Sequence, residues 1–172
     1  MIKGPESKSE RGLRWALPCI SILLLIILMQ LPYRISFLDN LLPFLPLAAV
    51  YYWCIFKPNL VPVSAIFMLG LLQDILSGGP LGMTALLLVL VRLFVIRQGR
   101  RFLEREFLFN WLVFFIVALV FGLATWAISS IYIRETQYIW NAVGQSMLTI
   151  AVFPAIVWGL GFLRLLLVAE KR

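Results

Sequence analysis

Histidine is absent from all 172 residues. That excludes histidine-based triads, imidazole acid–base chemistry and the commonest zinc sites. Charge is scarce: 13% of the residues, where a soluble domain carries about a quarter. Cysteine occurs twice, as Cys19 and Cys54, each inside an apolar run. Two thiols without CxxC spacing form neither a disulfide framework nor a metal site, and they read as small buried hydrophobes. Only one aspartate, Asp74, lies in an apolar run, whereas intramembrane aspartyl proteolysis needs two opposed carboxylates. No lysine sits within a run to activate a serine. Catalysis is not expected, and neither a metal nor a cofactor is.

Apolar side chains are what the sequence does have: 62% of the residues, more than a core in water could bury. The natural solvent is a lipid bilayer. Six apolar runs stand out, at about 13–31, 41–56, 60–76, 83–96, 107–132 and 143–168. Crossing a bilayer takes about 20 helical residues. The second, third and fourth runs are short, so they borrow flanking residues, tilt, or thin the bilayer. The first run follows a basic stretch as a signal peptide would. It is too long and lacks a small-residue cleavage site, so it reads as a retained span.

Net charge is +7, but the basic residues fall between apolar runs, which argues against nucleic acid. Lys3, Lys8, Arg11, Arg14, Lys57, Arg97, Arg100, Arg101, Arg105, Lys171 and Arg172 lie at alternate boundaries. The opposite loops carry only Arg34 and Arg134, and Arg92 and Arg164 lie inside runs. Eleven against two places both termini in the cytoplasm by the positive-inside rule, and six spans satisfy that parity. The expectation is an all-α integral membrane protein with six transmembrane helices. Residues 1–12 form a disordered basic leader, and 13–172 form one transmembrane domain. Trp15, Tyr33, Tyr51, Tyr52, Trp53, Trp111, Tyr132, Tyr138 and Trp140 fall near predicted span ends, where amphipathic rings favour the headgroup region.

The stretch "FMLGLLQDILSGGPLGMTALLLVLVRLF", 67–94, sets a carboxylate and an arginine in apolar surroundings. Gly78, Gly79 and Gly82 permit backbone angles other residues resist, and Pro80 stiffens the turn, so a tight helical hairpin is expected. Asp74 either caps exposed groups at the start of the following helix or meets interfacial water, or else it faces the bundle interior, pairing with a polar group or ordering the hairpin. The two roles are compatible. A carboxylate near the end of its own helix opposes the helix dipole, which points to a specific partner. Direct pairing with Arg92 meets a depth difference of about 10 Å at 1.5 Å per residue. A bridging water, or Arg92 reaching toward the cytoplasmic face, are the alternatives.

Asn141, Gln145 and Thr149 share one helix face, as do Thr125 and Ser129 on the preceding run. Interhelical hydrogen bonding is the simpler reading, and a polar cavity for a ligand is the sharper one. Ala118 and Gly122 form a small-xxx-small pair suited to close helix packing. Gly159 and Gly161 near Pro154 could loosen the last helix. The elbow "RQGRRFLERE" reads as a topological anchor attracted to anionic lipid, or as a docking patch for a cytoplasmic partner.

Gly70, Leu71, Asp74, Ser77, Gly78, Pro80, Leu81 and Gly82, followed by Ala85 and Leu86, resemble the bacterial rod shape-determining MreD family, as does Lys57-Pro58-Asn59. The resemblance implies a non-enzymatic inner-membrane scaffold subunit of the cell-elongation (rod shape, peptidoglycan synthesis) machinery. Its implied partners are MreC, the MreB cytoskeleton, the RodA glycosyltransferase and a transpeptidase penicillin-binding protein. Gly70, Asp74, Gly78, Pro80 and Gly82, together with the intramembrane Arg92, are the candidate structural or partner-binding residues. The family is also similar to the six-helix substrate-binding component of energy-coupling-factor vitamin transporters. A solute-binding cavity, with Asp74 contacting the solute, is therefore the alternative.

Overall fold

The computed structural model describes residues 8–30, 42–103, 107–133 and 138–169. These form six α-helices: α1 (Lys8–Gln30), α2 (Leu45–Phe56), α3 (Val63–Ser77), α4 (Met83–Leu103), α5 (Phe107–Ile133) and α6 (Ile139–Ala169). A short 3-10 turn, Pro58–Leu60, links α2 to α3. Residues 1–7, the loop arginines Arg34 and Arg134, residues 104–106 of the elbow, and Lys171 and Arg172 lie outside the described residues. The helix α1 starts at Lys8, within the stretch read as leader. The helix α4 continues through the elbow as far as Leu103.

The helix α2 is the hub. Its sequence, LPLAAVYYWCIF, has no polar stripe, and a helix apolar all round belongs in an interior. Every residue from Leu45 to Ile55 is buried. It packs against α1, α4, α5 and α6, while α3 with α4 and α5 with α6 form the two closest helix pairs. Twelve residues span only about 18 Å at 1.5 Å per residue, well short of a hydrocarbon core. The chain's own helices, rather than lipid, surround α2. Its end groups are met inside the protein: Thr149 Oγ1 accepts the amide of Phe44 at 2.9 Å, and the Lys57 amide donates to the Trp53 carbonyl at 2.8 Å.

This burial corrects the reading of Tyr51, Tyr52 and Trp53 as headgroup-region aromatics. Tyr51 stands 5.1 Å from Phe114 and 5.8 Å from Phe153, and those two rings stack at 3.9 Å. Trp53 Nε1 donates to Ser21 Oγ at 2.8 Å, which in turn donates to the Pro18 carbonyl at 2.7 Å. The Tyr51 hydroxyl donates to the Asn110 carbonyl. A buried ring with a polar tip needs such a partner, and α1 and α5 supply them. Tyr132, Tyr138 and Trp140, by contrast, are exposed at the facing ends of α5 and α6.

Residues 108–133 and 139–163 are each long and apolar enough to cross a membrane. Ala16–Gln30, Leu45–Phe56 and Val63–Ser77 are apolar but shorter. The outer faces carry Leu24, Met68, Leu86, Val120 and Trp158, all more than half exposed. So much outward apolar surface suits hydrocarbon and not water.

Candidate functional site

The α3–α4 hairpin is built around Asp74. The helix α3 ends at Gly78, whose φ of 68° is a left-handed C-cap that glycine adopts without strain. The turn runs through Pro80 and closes at Gly82, with φ 88°. The Pro80 carbonyl accepts the Met83 amide at 3.2 Å. The chain then reverses so that the start of α4 lies over the last turns of α3.

The Asp74 side chain is 1% exposed. Its Oδ2 accepts the amide of Gly82 at 2.8 Å, its Oδ1 accepts that of Thr84 at 3.0 Å, and Oδ2 also takes that of Ala85 at 3.4 Å. The first amides of a helix have no partner within that helix. A carboxylate there acts as an N-cap and meets the positive end of the dipole. Asp74 does this from the neighbouring helix. The opposition expected at the end of α3 is offset by attraction at the start of α4, where the charge is bound. Ser77 Oγ donates to the Asp74 carbonyl at 3.3 Å, closing the same turn.

Close approach of the two helices is fixed one turn earlier. A Cβ at Gly70 would run into the Ala85 backbone, with Ala85 N only 2.8 Å away. Gly70 and Asp74 lie one turn apart on α3 and act on the same segment of α4: glycine lets it in and aspartate binds it.

Arg92 does not join this group. Its Nε donates to the Val61 carbonyl at 2.8 Å, at the end of the 3-10 turn. Seven residues of α4, about 10 Å, separate it from Ala85. Direct Asp74–Arg92 pairing therefore gives way to two separate attachments of α4: one to the end of α3, the other to the turn before α3. Of the six residues singled out in the sequence, Gly70, Asp74, Gly78, Pro80 and Gly82 come together, and Arg92 stands apart.

The polar residues of α5 and α6 divide into two groups. Thr149 Oγ1 donates to the Gln145 carbonyl and accepts from Phe44, tying α6 to α2. Ser146, which lies off the predicted stripe, links α6 to α5 as Trp111 Nε1 does by donating to the Ile150 carbonyl at 3.3 Å: the one Ser146 hydroxyl proton is shared between the Ala142 carbonyl at 2.8 Å and the Ala118 carbonyl at 3.3 Å. A Cβ at Gly122 would collide with that hydroxyl, so the Ala118–Gly122 pair marks a close crossing. Thr125, Ser129, Asn141 and Gln145 instead line a cavity of about 310 Å³ at the hairpin end of the bundle. Gln73 lines it from α3, a residue the sequence reading passed over. Its one signal is adjacency: next to an inward aspartate, an amide one position back faces a different neighbour. Asp74 is not among the lining residues, because its oxygens are taken by amides.

Among the described residues no group of acidic and cysteine side chains could hold a metal ion. A family model described as rod shape-determining protein MreD matches residues 9–160. An uncharacterized protein of Rickettsia prowazekii (strain Madrid E) is 31% identical over 101 residues, which is 58% of this chain and 55% of that protein. The match thus spans about half the length of that curated relative. No solved structure gives a match.

Proposed function

We propose a function from one premise: the chain belongs to the rod shape-determining protein MreD family. Its role lies in rod-shape determination. Within that role our reading is a non-enzymatic scaffold subunit of the inner membrane. It crosses the bilayer six times with both termini in the cytoplasm, and it holds MreC in the peptidoglycan-synthesising elongation machinery. RodA, a transpeptidase penicillin-binding protein and the MreB cytoskeleton complete the assembly. Eleven basic residues on one side against two on the other support the orientation.

The observation that carries the scaffold reading is the Asp74 clamp beside an uncovered apolar rim. Ile75 is 64% exposed and Leu81 72%, on a hairpin whose backbone is pinned by three hydrogen bonds to one carboxylate. A rigid apolar rim offers a membrane-embedded partner helix one fixed surface, so little ordering entropy is lost on docking. In the transporter alternative Asp74 would contact solute, and here its oxygens are spent on the hairpin.

Affinity purification of the tagged protein from native membranes, with identification of what comes with it, tests this reading. MreC is the expected partner. Recovery of an energy-coupling ATPase module in its place would replace the scaffold by the transporter. A reporter fused after Arg172 should be active only in the cytoplasm, and its export would refute the span count.

A further inference from the structure

The cavity at the hairpin end is a different kind of surface from the apolar rim. It lies between the ends of α1, α3 and α5 and the starts of α2, α4 and α6. Its polar lining comes from amides and hydroxyls: Gln73, Asn141 and Gln145, with Thr125 and Ser129. Among the described residues no charged side chain lines it. Trp126, Tyr138 and Phe44 give it aromatic faces. The Gln73 side chain is 5% exposed, and its Oε1 has no hydrogen-bond partner. Its amide nitrogen has only the Met29 sulfur, at 3.6 Å. A buried amide oxygen left unpaired is costly, and native structures rarely retain one without a reason.

We propose that this cavity is a binding site for an uncharged polyhydroxyl group, such as a single sugar ring. An anion or cation would find no countercharge among the described lining residues. A hydrocarbon would strand three amide side chains. A sugar ring presents hydroxyls that donate and accept, as amides do, and apolar C–H faces that lie against aromatic rings. The volume falls at the small end of ligand pockets, which begin near 300 Å³. The ring could arrive as a free sugar or as the headgroup of a neutral glycolipid. The site stands on the cavity alone and not on the scaffold reading, so either can fail without the other.

Binding is read on the full chain in nanodiscs by equilibrium dialysis against labelled glucose and N-acetylglucosamine. In parallel, thermal stability is compared in nanodiscs with and without glucosyl-diacylglycerol, with phosphatidylglycerol as the charged control. Saturable uptake of a free sugar supports a soluble ligand. Stabilisation by the glycolipid alone supports a headgroup. In either case Gln73→Leu should weaken binding about tenfold, the loss of one well-made hydrogen bond. The same variant should unfold no earlier than wild type, because its oxygen has no partner to lose. Gln145→Leu, on the far wall, should weaken binding in the same way and serves if Gln73→Leu does not fold. No saturable binding of any of these probes would overturn the proposal. Binding left unchanged by both variants would overturn it equally.

Discussion

Replacing Asp74 by alanine removes the acceptor for three amides at once. Two of the three bonds, to Thr84 and Ala85, are buried, and the one to Gly82 is partly so. A buried donor left unpaired costs about 1–3 kcal/mol. Water at the rim can reach the Gly82 amide, so its share is discounted. Two unpaired buried amides plus the lost dipole attraction give about 3–5 kcal/mol for Asp74→Ala. Asp74→Asn keeps the shape and one acceptor oxygen but loses the charge. It also turns an N–H toward other N–H donors, so about half the penalty remains, roughly 2 kcal/mol. Reversible unfolding of the purified protein in mixed micelles with rising SDS measures both. The expected order of stability is wild type, then Asn, then Ala. Hydrogen exchange should rise first at the 82–86 amides. An alanine variant as stable as wild type would refute the capping account.

Further substitutions test four named positions. Gly70→Val must force α3 away from the Ala85 backbone and should cost about 3 kcal/mol, the upper end for overpacking. Gly78→Ala meets only its left-handed φ and should cost about 1 kcal/mol; the reverse order in thermal unfolding would contradict the close-approach reading. Thr149→Val should destabilise by about 1–3 kcal/mol by stranding the Phe44 amide, while Thr149→Ser stays near wild type. Arg92→Met frees the Val61 carbonyl, and deuterium uptake should rise across residues 57–63 with the α3–α4 hairpin unaffected; a loosened hairpin would mean that Arg92 supports Asp74 after all.

The hairpin could be read in the sequence because its cause is local. An aspartate, a run of glycines and a proline within nine residues leave few other conformations. Six helices were legible for the same reason, as apolar runs separated by charge or, between the third and fourth, by the glycine-proline turn. The role of α2 was not, since a short apolar run beside Lys57 looks the same whether lipid or protein surrounds it. Tyr51 and Trp53 were misplaced on that ground: ring position in the sequence cannot tell a headgroup from a buried carbonyl or a serine on α1. Arg92 found its partner on an element 31 residues away, through a turn whose path no spacing rule predicts. The stripe on α6 was found, but not its split. Thr149 and Gln145 share a face, yet one ties α6 to α2 and the other lines a cavity. That depends on where α2 ends, which is a tertiary fact.

The proposed scaffold depends on one buried carboxylate holding a rim that a partner uses. Co-purification of MreC with wild type and Asp74→Ala, from native membranes and at matched amounts of folded protein, tests that dependence directly. Retention by wild type and loss by the variant is the predicted result. Equal recovery of MreC from both would contradict it.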